Sequence, residues 1–137
     1  MTTAQLVRTD EEFLAAFEDL SLPKEEFSHR QHVRLAWVCL GRHEFADAAR
    51  RVVEGIQRFA AHHGATGLYH ETITQAWLRL IADGRRRGPG APTFDAFLEV
   101  NPQLHGKGAL DPYYAPETLM SDAARSHFVA PDRAPLP

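Results

Sequence analysis

The chain has 137 residues, 44% of them hydrophobic and 24% charged, with a formal net charge of −3, which reads as one globular domain over 1–137. The acidic balance weighs against a protein held to nucleic acid by phosphate contacts, and no run approaches the roughly 18 apolar residues of a membrane span. The single cysteine, Cys39, excludes an internal disulfide, and the start MTTAQLVRTDEEF has neither the basic nor the apolar region of a secretory leader, so a cytoplasmic location is expected.

Thr9 and Glu12 form a capping-box pattern ahead of Phe13, Leu14, Phe17 and Leu20, predicting a helix near 10–20 that Pro23 stops. Ser28 and Gln31 repeat the pattern before a helix near 29–40, closed by Gly41. A third helix is expected near 44–63, with Phe45, Ala49, Val52, Ile56 and Phe59 on its core side and Gly64 after its end. A fourth runs near 70–83 and stops at Gly84, so Arg85 to Gly90 reads as a solvated loop. Thr93 caps a short helix from Phe94 to Val100, and short turns are expected near 116–120 and 122–127. No segment alternates as a strand does. The fold class is therefore all-α: four to five helices in a core of about 9–100, wrapped by a Pro-rich segment over 101–137.

The chain holds eight histidines, more than its two tryptophans and three tyrosines together, so their placement is the most informative question. At about 100° per residue, His29 and His32 fall in the same arc as Val33, Ala36, Trp37, Cys39 and Leu40, opposite Arg30, Gln31, Arg34 and Arg42. In the fourth helix His70 shares its arc with Ile73, Trp77, Leu80 and Ile81, with Thr74 beside it. Thr72 falls with Glu71, Gln75 and Arg79 and is expected to face solvent. Three inward imidazoles in the first turns of two helices need partners, because burying one unpaired costs about 1–3 kcal/mol.

Neutral imidazole is a common ligand for zinc, iron, copper and nickel. His29, His32 and His70 are therefore candidate ligands for a divalent transition metal, or candidate acid–base residues without one. Tyr69, Thr74, Tyr113, Trp37 and Trp77 are the candidate lining of a small-molecule pocket, with Glu71, Asp111 and Glu117 as carboxylates. The spacing is neither HExxH nor a Cys/His zinc pattern, and no nucleophile or phosphate-binding glycine loop stands out. The plainer reading has His29 and His70 cap helix starts and bond the C-terminal segment, Trp37 and Trp77 serve the core, and His43, His62, His105 and His127 stay peripheral. A non-catalytic helical domain that binds a ligand or a partner, with a homodimer left open, is the alternative function. Neither nucleic acid nor membrane is expected as a partner.

The segments Phe27-x-His29-x-x-His32-Val33-Arg34-Leu35-Ala36-Trp37, Tyr69-His70-x-Thr72-Ile73-Thr74, Asn101-Pro102, Tyr113-Tyr114 and Pro131-Asp132 together resemble a family of small all-helical bacterial proteins. The resemblance spans about residues 27–135 and implies an all-helical fold and no particular reaction. It singles out His29, His32 and His70, and this chain departs from it at Leu68, where a basic residue is expected, and at Ala115, where a serine is.

Overall fold

The computed structural model describes residues 8–88 and 90–137, without the Lys107 side chain. The leader reading on residues 1–7 and Pro89 of the expected loop lie outside the described residues. Among the described residues there are seven α-helices, α1 (Asp10–Glu18), α2 (His29–Arg42), α3 (Phe45–His62), α4 (Glu71–Arg87), α5 (Phe94–Glu99), α6 (Pro116–Leu119) and α7 (Asp122–Ser126). Short 3₁₀ turns join them, and there is no strand among the described residues. The all-α expectation holds.

Local chemistry starts each helix. The Thr9 hydroxyl accepts from the Glu12 N–H and the Glu12 carboxylate accepts from the Thr9 N–H, a complete capping box. Leu20, at φ 68, then turns the chain out of α1. That left-handed conformation costs a non-glycine residue on the order of 1 kcal/mol, which packing of Leu20 on the core offsets. At α2 only half of the expected box forms. Ser28 accepts from the Gln31 N–H, while the Gln31 Oε1 is buried and makes no hydrogen bond.

α2 packs on α3 and α4, α1 lies against α3, and α7 against α4. One hydrophobic cluster joins Phe13, Phe17, Val33, Trp37, Phe59, Ile81 and Phe97 to Leu104, Leu110 and Tyr114. The segment after residue 100 therefore contributes core as well as wrapping. Phe45, expected inside, is 40% exposed, because the first residue of a helix projects its side chain back beyond the bundle end.

Two glycines expected to end helices lie inside them. At Gly84 an added Cβ would sit 2.9 Å from Asn101 Oδ1 and 3.1 Å from Phe97, so the glycine admits α5 and Asn101 rather than stopping α4. The helix runs on through the three arginines. Asp83 accepts from Arg87 at 2.7 Å and from Arg86 at 2.6 Å, and Arg85 lies over the Trp37 ring and donates to the Trp37 carbonyl. These arginines are the last turn of α4, where cations oppose the helix dipole, and not the loop the punctuation suggests. Gly41 likewise lies within α2, beneath the Arg85 guanidinium.

Gly55 makes the tightest approach. A Cβ there would meet the buried Phe17 ring at 2.7 Å. Gly55→Ala gains about 1 kcal/mol of helix propensity against an overpacking cost of about 1–3 kcal/mol. A lower melting temperature is the expected result, with Gly67→Ala, where a Cβ meets nothing within 4 Å, as the near-neutral control. A Gly55→Ala protein that melts higher would show that Phe17 yields.

Candidate functional site

α4 begins at His70, whose extended backbone (φ −133, ψ 111) makes it the residue that caps the helix. Its Nδ1 accepts from the Ile73 N–H at 3.1 Å and its Nε2 donates to the Leu119 carbonyl at 2.6 Å. The two partners fix the tautomer, since one nitrogen faces a donor and the other a carbonyl. Thr74, a candidate pocket residue, donates to the His70 carbonyl at 2.8 Å. Thr72 corrects the helical wheel. It is fully buried, donates to the His127 carbonyl at 2.9 Å and accepts from the Val129 N–H at 3.0 Å. The wheel misses this because the face it points to is covered by the C-terminal segment rather than by another bundle helix.

The same segment is tied down at every element of the motif pattern. Tyr114 donates to the Val129 carbonyl at 2.7 Å, and Asp132 accepts from the Ala115 N–H and the Thr118 hydroxyl. Arg125 donates to the carbonyls of Gly67 and Tyr69. Asn101 is buried and donates to the Phe97 carbonyl.

His29 and His32 sit one turn apart at the start of α2. The His29 ring meets the Trp77 ring edge-on at 4.8 Å. The His32 ring stacks on Phe27 at 3.8 Å, and its Nδ1 donates to the Ser28 carbonyl at 2.8 Å. That leaves its Nε2 as an acceptor without a hydrogen bond among the described residues. Burial holds the His32 pKa below the usual imidazole value. The Ser28 bond opposes this shift, and the neighbouring His29 adds to it. His63, at the end of α3, joins the same aromatic group through Phe59 at 4.4 Å, with its Nε2 buried and unpartnered.

His32 has a consequence for stability. Its folded pKa lies below the unfolded one, so the unfolded chain binds more protons as pH falls through the unfolded imidazole value. The neutral ring's contribution is present above that value and is lost progressively below it. Urea denaturation from about pH 7.5 to about pH 5.5 should show falling stability, and His32→Gln should flatten the dependence. Equal slopes in the two proteins would remove His32 as the cause.

The expected metal set does not fit these residues. Both His70 nitrogens are engaged, and ligation would break either the cap or the bond to Leu119. Among the described residues no group of three or more His, Cys, Asp or Glu side chains is placed to hold a metal ion. The remaining pocket candidates separate. Tyr69 donates to Glu71 at 2.5 Å, and Gln75 donates to the other Glu71 oxygen at 3.1 Å. Burial first, then this carboxylate, raises the Tyr69 pKa. Trp37 is a core residue against Phe94 and Phe97, and Trp77 is half-buried against His29. Tyr113 lines a cleft of about 380 Å³ with Leu80, Asp83, Arg87 and Leu104. Cys39 is buried, which pushes its thiol up to about 11, so it is no nucleophile at neutral pH.

A larger cleft, of about 720 Å³, opens between the starts of α1, α2 and α5. That volume is in the range of small-molecule sites. Neither cleft is lined by His29, His32 or His70. Arg34 lies over the Phe13 ring and bonds Asp10 at 3.0 Å and the Arg8 carbonyl at 2.8 Å. Arg30 lies over Phe94 and pairs with Asp95, while Arg8 pairs with Glu26. Gln31, with its unpartnered Oε1, forms part of the wall. By helical periodicity Arg30 and Arg34 fall on a wet face, and Gln31 belongs to the cap pattern with Ser28. The available signal was two arginines one turn apart on that face, with the aromatic partners far away in sequence.

Comparison with protein-family models, with curated proteins and with solved structures finds no match to this chain.

Proposed function

We propose that the protein is a helical domain that binds a small polar molecule in the cleft between α1, α2 and α5. The observation that carries this reading is the cleft itself, about 720 Å³ in volume, with Arg30 and Arg34 set in its wall over the Phe94 and Phe13 rings. Side chains of three separate elements frame the space, and their ion pairs hold them in place without a ligand.

A second reading keeps His32 as a general base for a small molecule at the other side of α2. It is supported by a neutral ring whose Nδ1–H is anchored on Ser28 while Nε2 carries no hydrogen bond.

A fragment screen read by amide and imidazole NMR shifts separates the two. Cleft binding moves Thr9, Gln31, Arg34 and Thr93, and Arg30→Ala, at a half-exposed side chain of the lining, weakens the response. Shifts centred on His29, His32 and Trp77, lost in His32→Gln, would overturn the cleft reading in favour of the second.

A further inference from the structure

Resting on that cleft reading, we infer that the ligand carries a flat aromatic ring, which stacks on the Arg30 guanidinium, and is not an aliphatic compound. The reason lies in what the cleft wall presents. Phe13, Leu22 and Phe94 belong to the lining but are only 2%, 1% and 6% exposed. They leave little apolar surface for an aliphatic ligand to cover. Arg34 lies over the Phe13 ring at 4.8 Å and Arg30 over the Phe94 ring at 5.0 Å. Over both rings, what an incoming molecule meets is a guanidinium.

The edges of these two groups are already engaged. Arg34 donates to Asp10 and to the Arg8 carbonyl, and Arg30 pairs with Asp95. Guanidinium donors lie in the plane of the group, so such bonds leave its two faces to stacking. One face of Arg30 is turned to Phe94, and half of the side chain is still exposed, so the other face is open. Arg34, at 16% exposure, is the more covered of the two. A guanidinium face is weakly hydrated and attracts the quadrupole of an aromatic ring, which a saturated ring of the same size lacks. Stacking there also leaves the pairs with Asp95 and Asp10 intact.

The test titrates the full chain with three ligands of similar size: benzamide, the saturated cyclohexanecarboxamide and the anion benzoate. Binding is followed by amide shifts. The expected result is a saturable response to benzamide at Arg30, Arg34, Thr93 and Phe94, with cyclohexanecarboxamide giving none. Arg30→Lys keeps a charge beside Asp95 and removes the flat face, so it should weaken benzamide about three- to tenfold. Melting curves confirm that the variant is folded. Cyclohexanecarboxamide moving the same amides as strongly as benzamide would overturn the aromatic assignment and leave the cleft reading standing. Binding of benzoate without benzamide would overturn it too, because charge and not the ring would then be recognised. Equal benzamide binding in wild type and Arg30→Lys would remove Arg30 as the platform. Silence from all three ligands overturns the assignment, while the fragment screen separately decides whether the cleft binds anything.

Discussion

Replacing His70 by alanine is expected to lower stability by about 2 kcal/mol, the largest effect of any single histidine. The substitution strands two backbone groups in one step. The Ile73 N–H loses its cap, worth about 1 kcal/mol, and the Leu119 carbonyl loses the donor that His70 Nε2 provides at 2.6 Å, worth a similar amount. His70→Asn separates these, because asparagine is a good helix cap and is too short to span to Leu119. It should recover about 1 kcal/mol. Urea denaturation measures both variants, with the midpoint moving and the slope constant. A loss of under about 0.5 kcal/mol in His70→Ala would mean that water replaces the imidazole at Leu119, and that His70 does not hold the C-terminal segment to α4.

Thr72→Val should cost about 2–3 kcal/mol and should loosen a different part of the molecule. Valine fills the space of threonine, so packing changes little. What disappears is a hydroxyl that donates to the His127 carbonyl and accepts from the Val129 N–H, at roughly 1 kcal/mol or more each. The C-terminal segment can recover its hydrogen bonds from water only by lifting off α4. Faster tryptic cleavage at Arg125 and Arg133 should therefore accompany the stability loss, while Thr72→Ser, which keeps the hydroxyl, stays near wild type. A variant that is destabilised with unchanged cleavage would show that Thr72 serves the bundle and not the tail.

The helices were legible where their signals are local. Thr9 with Glu12, Ser28, Thr93 and Gly64 each act within four residues, and each sits at the helix end that the sequence predicts. Gly41 and Gly84 misled because a glycine marks either a stop or a close approach. Only the partner decides, and those partners, Arg85 and Asn101, come from elsewhere in the chain. The same limit governs the site. The periodicity placed His29 and His32 inward, and both rings contact aromatic side chains, Trp77 and Phe27. It could not say that His70 spends both nitrogens on backbone groups, one of them 49 positions away. Nor could it say that Arg30 and Arg34 meet Phe94 and Phe13 across a cleft, because a wheel has no memory of what lies outside its own helix.

The bonds of His70 and Thr72 also bear on how the chain reaches this fold. Contacts within α2, α3 and α4 link near neighbours and should form early, as in other helical proteins of short-range topology. His70 to Leu119, Thr72 to His127 and Val129, and Arg125 to Gly67 instead close loops of 49 to 58 residues. Their closure entropy must be met before any of these bonds forms. The first turn of α4 is thus completed by a partner that arrives late. In a pulse-labelling experiment the amides of Ile73 and Val129 should gain protection together, after those in the middle of α2 and α3.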